Sequence, residues 1–404
     1  MSPDPEPRRR HPLRRLLPLL VTLILVVSAC AADAPQDTLE PEGPIARKID
    51  NLVNPVFLIA AGVFVLVEFG ALFLAFKFRQ RRDSDPDKDD DELPTQTHGN
   101  TKLEIGWTIL PAVLLAFVGL FTLVTLFDIE NTEEDMTVQV TGQQWWWEFT
   151  YDTDGDGEFT DEDLLTANDL VVPAGQNVRL EVTSRDVIHS FWIPKLAGKK
   201  DAVPGRAHPL TINADEPGTF VGQCTEYCGL SHAFMRQRVV ALPPDEFEAW
   251  LADQQEDADR PTDEQAAAGA DLFRSQCSVC HLARGINDDE FADAGEGTEQ
   301  LISAKAPDLT HFASRGAFAG ASFNLWVDQD GDEVVEADEI GFDSGGELNH
   351  GDLEAWLRDP PGQKPMDPVT PEEVEAGEPG KGMPNLNLSE QQIDDLVAFL
   401  ETLE

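Results

Sequence analysis

Cys224-Thr225-Glu226-Tyr227-Cys228-Gly229-Leu230-Ser231-His232-Ala233-Phe234-Met235 places two thiols, an imidazole and a thioether within twelve residues. Soft sulfur and imidazole together suit copper or zinc. The methionine argues against structural zinc, whose sites use Cys and His; a weak axial Met marks electron-transfer copper. One such copper needs a single Cys. Two Cys four apart in one loop can bridge two coppers, and a second His must then come from elsewhere. Asp186-Val187-Ile188-His189-Ser190 supplies one, at the end of a predicted strand. A disulfide or a core histidine accounts for any one of these residues alone. The whole set at these spacings points to metal.

The flanking sequence predicts an all-β domain over 131–245. Val138, Val140, Val171, Val172, Val178, Leu180 and Val182 lie in alternating or β-branched runs. Pro173-Ala174-Gly175 and Glu216-Pro217-Gly218 punctuate them as turns. Several short strands in such a length fit a sandwich or Greek-key barrel. Residues 246–262 read as a charged linker, and from 263 the pattern turns helical.

Upstream lie membrane signals. Arg8, Arg9, Arg10, Arg14 and Arg15, then an apolar run from Leu16 to Val27, read as a signal peptide over 1–29. Val27-Ser28-Ala29-Cys30 resembles a lipoprotein processing box, with Cys30 as the lipidated residue; a non-cleaved membrane helix is the alternative. Residues 30–50 read as a linker. Val56 to Phe76 and Trp107 to Phe127 are long and apolar enough to span a bilayer, giving a hairpin within 51–130, with helices at about 55–78 and 105–128. Lys77, Arg79, Arg81 and Arg82 mark the cytoplasmic end of the first helix. Both termini and all that follows about residue 130 are then expected outside a bacterial plasma membrane. Glu68 lies mid-span, where a carboxylate is costly and faces protein or water.

The spacing Cys-x-Glu-x-Cys-Gly-x-x-His-x-x-Met resembles the binuclear copper (CuA) centre of cytochrome c oxidase subunit II. Asp201-Ala-Val-Pro-Gly-Arg206, Gly142-Gln-Gln-Trp-Trp-Trp147, Asp186 to Ser190 and the hairpin with Glu104-x-x-Trp107 and Pro111 match too, over roughly 45–245. The resemblance implies a cupredoxin-like Greek-key domain. Cys224 and Cys228 would bridge both coppers, with His189 and His232 binding one each. Met235 and the backbone carbonyl of Glu226 would be weak axial ligands. The Glu226 side chain would hold magnesium at the contact with subunit I, Trp145 would receive electrons, and Glu104 would mark the mouth of a proton pathway. Gln143 and Trp146 stand where the family often has His and Tyr. The family fits a subunit that feeds electrons to subunit I, where oxygen is reduced to water and protons are translocated.

Cys277-Ser278-Val279-Cys280-His281 is a C-x-x-C-H sequence, the attachment site of c-type haem. Its thiols would form thioethers and His281 would bind iron. His311, His350, Met366 and Met383 are candidates for the distal position. Residues 263–404 resemble an all-α class I cytochrome c domain, through Gly269-x-x-Leu-Phe273, Pro307-Asp-Leu309 and Met383-Pro384. That resemblance selects Met383 and gives the carbonyl of Pro307 to the proximal imidazole. Electrons would reach this haem from a cytochrome bc complex or a small cytochrome.

Two acidic stretches remain. Asp152, Asp154, Asp156 and Asp163 take positions of an EF-hand-type loop with Gly157 at the turn, and Asp328, Asp330, Asp332 and Glu339 do so with Glu333 where Gly is wanted. Calcium and an acidic surface insertion both fit them. The formal net charge is −46, from 29 basic and 75 acidic residues. Such a chain will not bind nucleic acid through phosphates; its charge is read first as solubility and second as an attraction for cationic partners. A copper-free quinol-oxidase-type module and a nitrous or nitric oxide reductase partner are rival readings. The intact ligand set opposes the first; the hairpin together with the haem segment opposes the second.

Overall fold

The computed structural model describes residues 34–79, 98–160, 163–288, 306–331, 334–341, 345–367 and 381–404. Cys30 and Asp332 lie outside them. Two long helices, α1 (Pro44–Lys77) and α2 (Thr101–Glu130), form the hairpin. Each contains an 18-residue stretch of mean hydropathy 2.5. Leu66, Phe69, Leu115 and Phe117 point outward, a surface suited to hydrocarbon rather than water. Asn100 caps α2 by accepting from the Lys102 and Leu103 amides.

α1 starts at Pro44 rather than near 55, so 44–50 is helix and not linker. Pro44 fits a first helical position, where its missing N–H is no loss. The next turn is held by packing: Ile45 is 2 % exposed, and the Ala46 amide donates to the Leu196 carbonyl at 3.1 Å. The hairpin is therefore seated on the β domain. Lys48–Asp128 joins its two helices at that end, at 3.0 Å.

The β domain has two main sheets around one core. The first runs β3 (Leu164–Ala167), β2 (Trp146–Tyr151), β1 (Met136–Gln143), β5 (Val178–Ser184), β8 (His208–Ile212). The second runs β4 (Asp169–Pro173), β10 (Arg236–Leu242), β9 (Gly218–Gln223). β1 with β5 and β4 with β10 are parallel pairs, as non-local Greek-key connections produce. β5 shows the expected alternation: Val178, Leu180 and Val182 are buried while Arg179, Glu181 and Thr183 are not. A short pair, β6 (His189–Phe191) with β7 (Lys200–Ala202), closes one end.

The expected linker at 246–262 begins instead as helix α3 (Pro244–Asp253). Phe247, Trp250 and Leu251 recur at helical spacing and cover the β core, with the Trp250 ring 5.5 Å from that of Tyr151. Beyond it, α4 (Glu264–Gln276), α5 (His350–Arg358) and α6 (Glu390–Leu400) share a second core. A two-stranded hairpin, β11 (Ala317–Phe318) with β12 (Phe323–Asn324), belongs to this domain, so its described part is not all-α, and much of it is turns and irregular chain. α4 and α6 cross at Gly269, where an added Cβ would lie 1.9 Å from the Asp395 carbonyl oxygen. Gly269→Ala must push the helices apart. It is expected to destabilise the C-terminal domain by about 2 kcal/mol, the scale of core overpacking, read as a lowered thermal midpoint with the β domain unchanged.

Candidate metal centre

The Cys224–Met235 loop joins β9 to β10, and the pairing of those strands brings its ends together. The Cys224 amide donates to the Met235 carbonyl at 2.9 Å. The Cys228 sulfur then lies 3.9 Å from the Cys224 sulfur, 3.5 Å from His232 Nδ1 and 3.8 Å from the Met235 sulfur. The two sulfurs are too far apart for a disulfide. The Glu226 carbonyl approaches the Cys224 sulfur at 3.2 Å. His189 arrives from β6, fully buried, and its side chain with those of Cys224 and Cys228 brings three ligand atoms within 4.8 Å of one another.

Hydrogen bonding decides which nitrogen of His189 faces inward. Its Nε2 lies 2.8 Å from Asp186 Oδ1, and a carboxylate only accepts, so Nε2 carries the proton. Nδ1 is left buried with no hydrogen-bond partner among the described residues. An orphaned buried nitrogen beside two thiols is what a metal ligand looks like without its metal. Burial alone would raise the Asp186 carboxyl. Bonds from His189 and from the Gln144 and Val187 amides outweigh it and hold the group below the usual carboxylate range. The Cys228 thiol holds Cys224 low, at about 4, against the effect of burial. The same pairing, with burial, pushes Cys228 up.

Residues 136–242 match the family described as cytochrome C oxidase subunit II, periplasmic domain, and residues 38–125 match its transmembrane domain. Cytochrome c oxidase subunit 2 of Alkalihalophilus pseudofirmus is 33 % identical over 400 residues, covering 96 % of this chain and 97 % of that one. The same subunit of Bacillus sp. strain PS3 is 30 % identical over 407 residues, again 96 % and 97 %. The chain belongs to the cytochrome c oxidase subunit II family. Among solved structures, the periplasmic domain of subunit II of cytochrome oxidase from Bradyrhizobium japonicum is 36 % identical, covering 31 % of this chain and 96 % of that one, with a TM-score of 0.28.

As a member of the subunit II family, the chain is part of a haem–copper oxidase, a membrane complex with further subunits. Its β domain is cupredoxin-like, and the Cys224–Met235 loop lies at one end of it. Glu226 and Tyr227 project from the loop into the open. Glu104 sits in the first turn of α2, and its carbonyl accepts from Thr108 Oγ1 at 2.8 Å.

Trp145 is only 4 % exposed, and its indole N–H donates to the Cys228 carbonyl at 3.1 Å. It also lines a cleft between the cupredoxin-like and C-terminal domains. Cys277, Cys280, His281 and Met383 line the same cleft. The His281 Nδ1–H donates to the Pro307 carbonyl at 2.8 Å, as the motif implied, so Nε2 keeps its lone pair. Burial holds the His281 pKa below its ordinary value and keeps the ring neutral. Burial pushes the Cys277 thiol up to about 11.

The distal candidates separate. Both ring nitrogens of His311 are taken, by the carbonyls of Glu404 at 2.6 Å and Glu256 at 3.0 Å. His350 faces solvent beside Glu401 at 3.1 Å. Met366 and Met383 both line the cleft. The Met366 sulfur accepts from the Met383 amide at 3.3 Å, and Met366 packs on the β core while Met383 packs on the C-terminal core.

In the acidic loops the carboxylates serve the backbone. Asp152 accepts from the Gly155 and Gly157 amides, Asp154 from that of Asp156, and Asp163 from those of Thr153 and Thr160. Asp152, Asp154 and Asp156 lie close enough to share an ion. In the second loop Asp328 accepts from Gly331, and Glu339 from Gln329; Asp330 lies between them. Sequence reasoning gave no role to Asp186, although an acid three residues before a ligand histidine is a readable signal. Nor did it single out Gln144, whose side chain donates to the Cys228 carbonyl at 2.6 Å.

Proposed function

We propose that this chain is the electron-accepting subunit of its oxidase, with a binuclear copper centre in the cupredoxin-like domain and a c-type haem in the fused C-terminal domain. The orphaned Nδ1 of His189 beside the two thiols carries the reading. Cys224, Cys228, His189, His232, Met235 and the Glu226 carbonyl would hold the copper pair. Bound there, the pair and the haem supply one-electron carriage with little rearrangement. The protein supplies a rigid, buried frame with no open position for a substrate.

Cys277 and Cys280 would attach the haem in the cleft, and His281 and Met383 would hold its iron. Electrons enter at the C-terminal domain, pass the cupredoxin-like domain and leave for subunit I, where oxygen reduction and proton translocation lie. The positive flank of α1 faces the cytoplasm, which places both folded domains outside the plasma membrane. The exposed Glu226 carboxylate is left to hold magnesium at the subunit I contact, and Glu104 stands at the mouth of a proton pathway.

Asp186 fixes the ring of His189 through Nε2. Such outer partners cost about 10–100-fold in metal affinity when removed. Asp186→Asn is therefore expected to weaken copper retention by about that factor, measured by chelator competition. The whole reading is tested by the optical and EPR spectra of the copper- and haem-loaded protein. A c-type haem spectrum with the multi-line signal of a shared-valence copper pair supports it. Haem without that copper signal leaves a scaffold of the quinol-oxidase kind.

A further inference from the structure

The cupredoxin-like and C-terminal domains meet along a seam that runs beside the Cys224–Met235 loop. Ser231 Oγ donates to the Pro365 carbonyl, and Ser322 Oγ to the Phe234 carbonyl. The Arg236 amide donates to the Gly320 carbonyl at 2.9 Å. At the centre of the seam lies Lys364, a lysine only 3 % exposed. Lysine is almost never this buried without partners that require it. Its amine, whose pKa burial pushes down to about 7, donates to one carbonyl on each side: Trp145, at 2.6 Å, and Ala319, at 2.8 Å. Gly320 has a left-handed backbone (φ +72°) and makes room for this. A Cβ there would lie 2.5 Å from the Trp145 carbonyl oxygen and 2.6 Å from Lys364 Nζ.

We propose that Lys364 is a positioning residue that latches the C-terminal domain to the backbone of Trp145 and so fixes the distance between the cleft and the Cys228 side of the metal centre. The deduction about distance rests on the proposed function; the latch itself rests on the contacts alone. The same peptide unit that Lys364 holds carries the indole bonded to Cys228. Losing the amine leaves two buried carbonyls without their donor, each worth roughly tenfold or more in the closed-to-open ratio.

Hydrogen–deuterium exchange on the full chain, in its oxidase, tests the latch. Lys364→Met matches the stem and removes the donor. It should speed exchange at the Arg236 amide and at the 317–322 segment by about tenfold or more, while α4 and α6 keep their protection. Gly320→Ala, which crowds the same contact and leaves Lys364 in place, should open the same amides. In the loaded oxidase, Lys364→Met should lower kcat with a soluble cytochrome donor and leave KM unchanged, because the donor meets the outer face of the C-terminal domain. Unchanged exchange at the seam in both variants overturns the latch. Equal loss of protection in α4 and α6 overturns it too, by making Lys364 a core residue of its own domain. Faster seam exchange in a protein that shows no haem or copper spectrum keeps the latch and removes the function built on it.

Discussion

Cys228→Ser is expected to abolish the copper pair and to cut oxidase turnover more than about 100-fold. Removing an outer partner of a metal ligand already costs about 10–100-fold in affinity, and Cys228 is no outer partner. Its sulfur faces Cys224, His232 and Met235 at once. A serine oxygen is hard, shorter in reach and a poor bridge for copper. The side chain is buried but small, and β9 and β10 are held by their own ladder, so the fold should survive. Metal analysis should fall from two coppers per chain and the multi-line EPR signal should vanish, with far-UV circular dichroism unchanged. Two coppers retained with the same signal would remove Cys228 from the centre.

Met383→Ala and Met366→Ala are expected to part company at the haem. Met383 packs on the C-terminal core and lines the same cleft as His281. The Met366 sulfur is already engaged by the Met383 amide. Loss of the true axial thioether removes the methionine-ligation absorption band and lowers the haem potential by an amount on the order of 0.2 V, within the ~0.8 V span that axial ligands command. Met383→Ala should show both effects; Met366→Ala should keep the band. The opposite pattern would give the ligand role to Met366.

The metal loop was legible because its chemistry is local. Five of its donors lie in one connection between paired strands, and only His189 comes from elsewhere. The hairpin was legible because long apolar runs have few alternatives. What escaped the sequence was set by contacts distant in the chain. Nothing near Pro44 announces that Ile45 is buried in the β domain. Residues 246–262 look like a charged connector until Trp250 finds Tyr151. The β11–β12 hairpin is two residues a strand, too short for periodicity to show. Lys364 reads as one more lysine in a Lys-Pro segment, and only the folded chain sets it against Trp145. Calcium ligation has the opposite character, since its spacing is visible and the structure adds a backbone role for the same oxygens.

Trp145 lies under the C-terminal domain, joined to it by hydrogen bonds to carbonyls and amides rather than by opposed surface charges. A soluble cytochrome that docks by long-range attraction works within a Debye length of about 8–10 Å, and added salt erodes its approach. The internal step of the proposed path would have no such approach to erode. For a chain of net charge −46, which would otherwise draw its donor through a strong and screenable field, that path would take ionic strength out of electron delivery to the metal centre. Salt would then govern only how the outer donor finds the molecule.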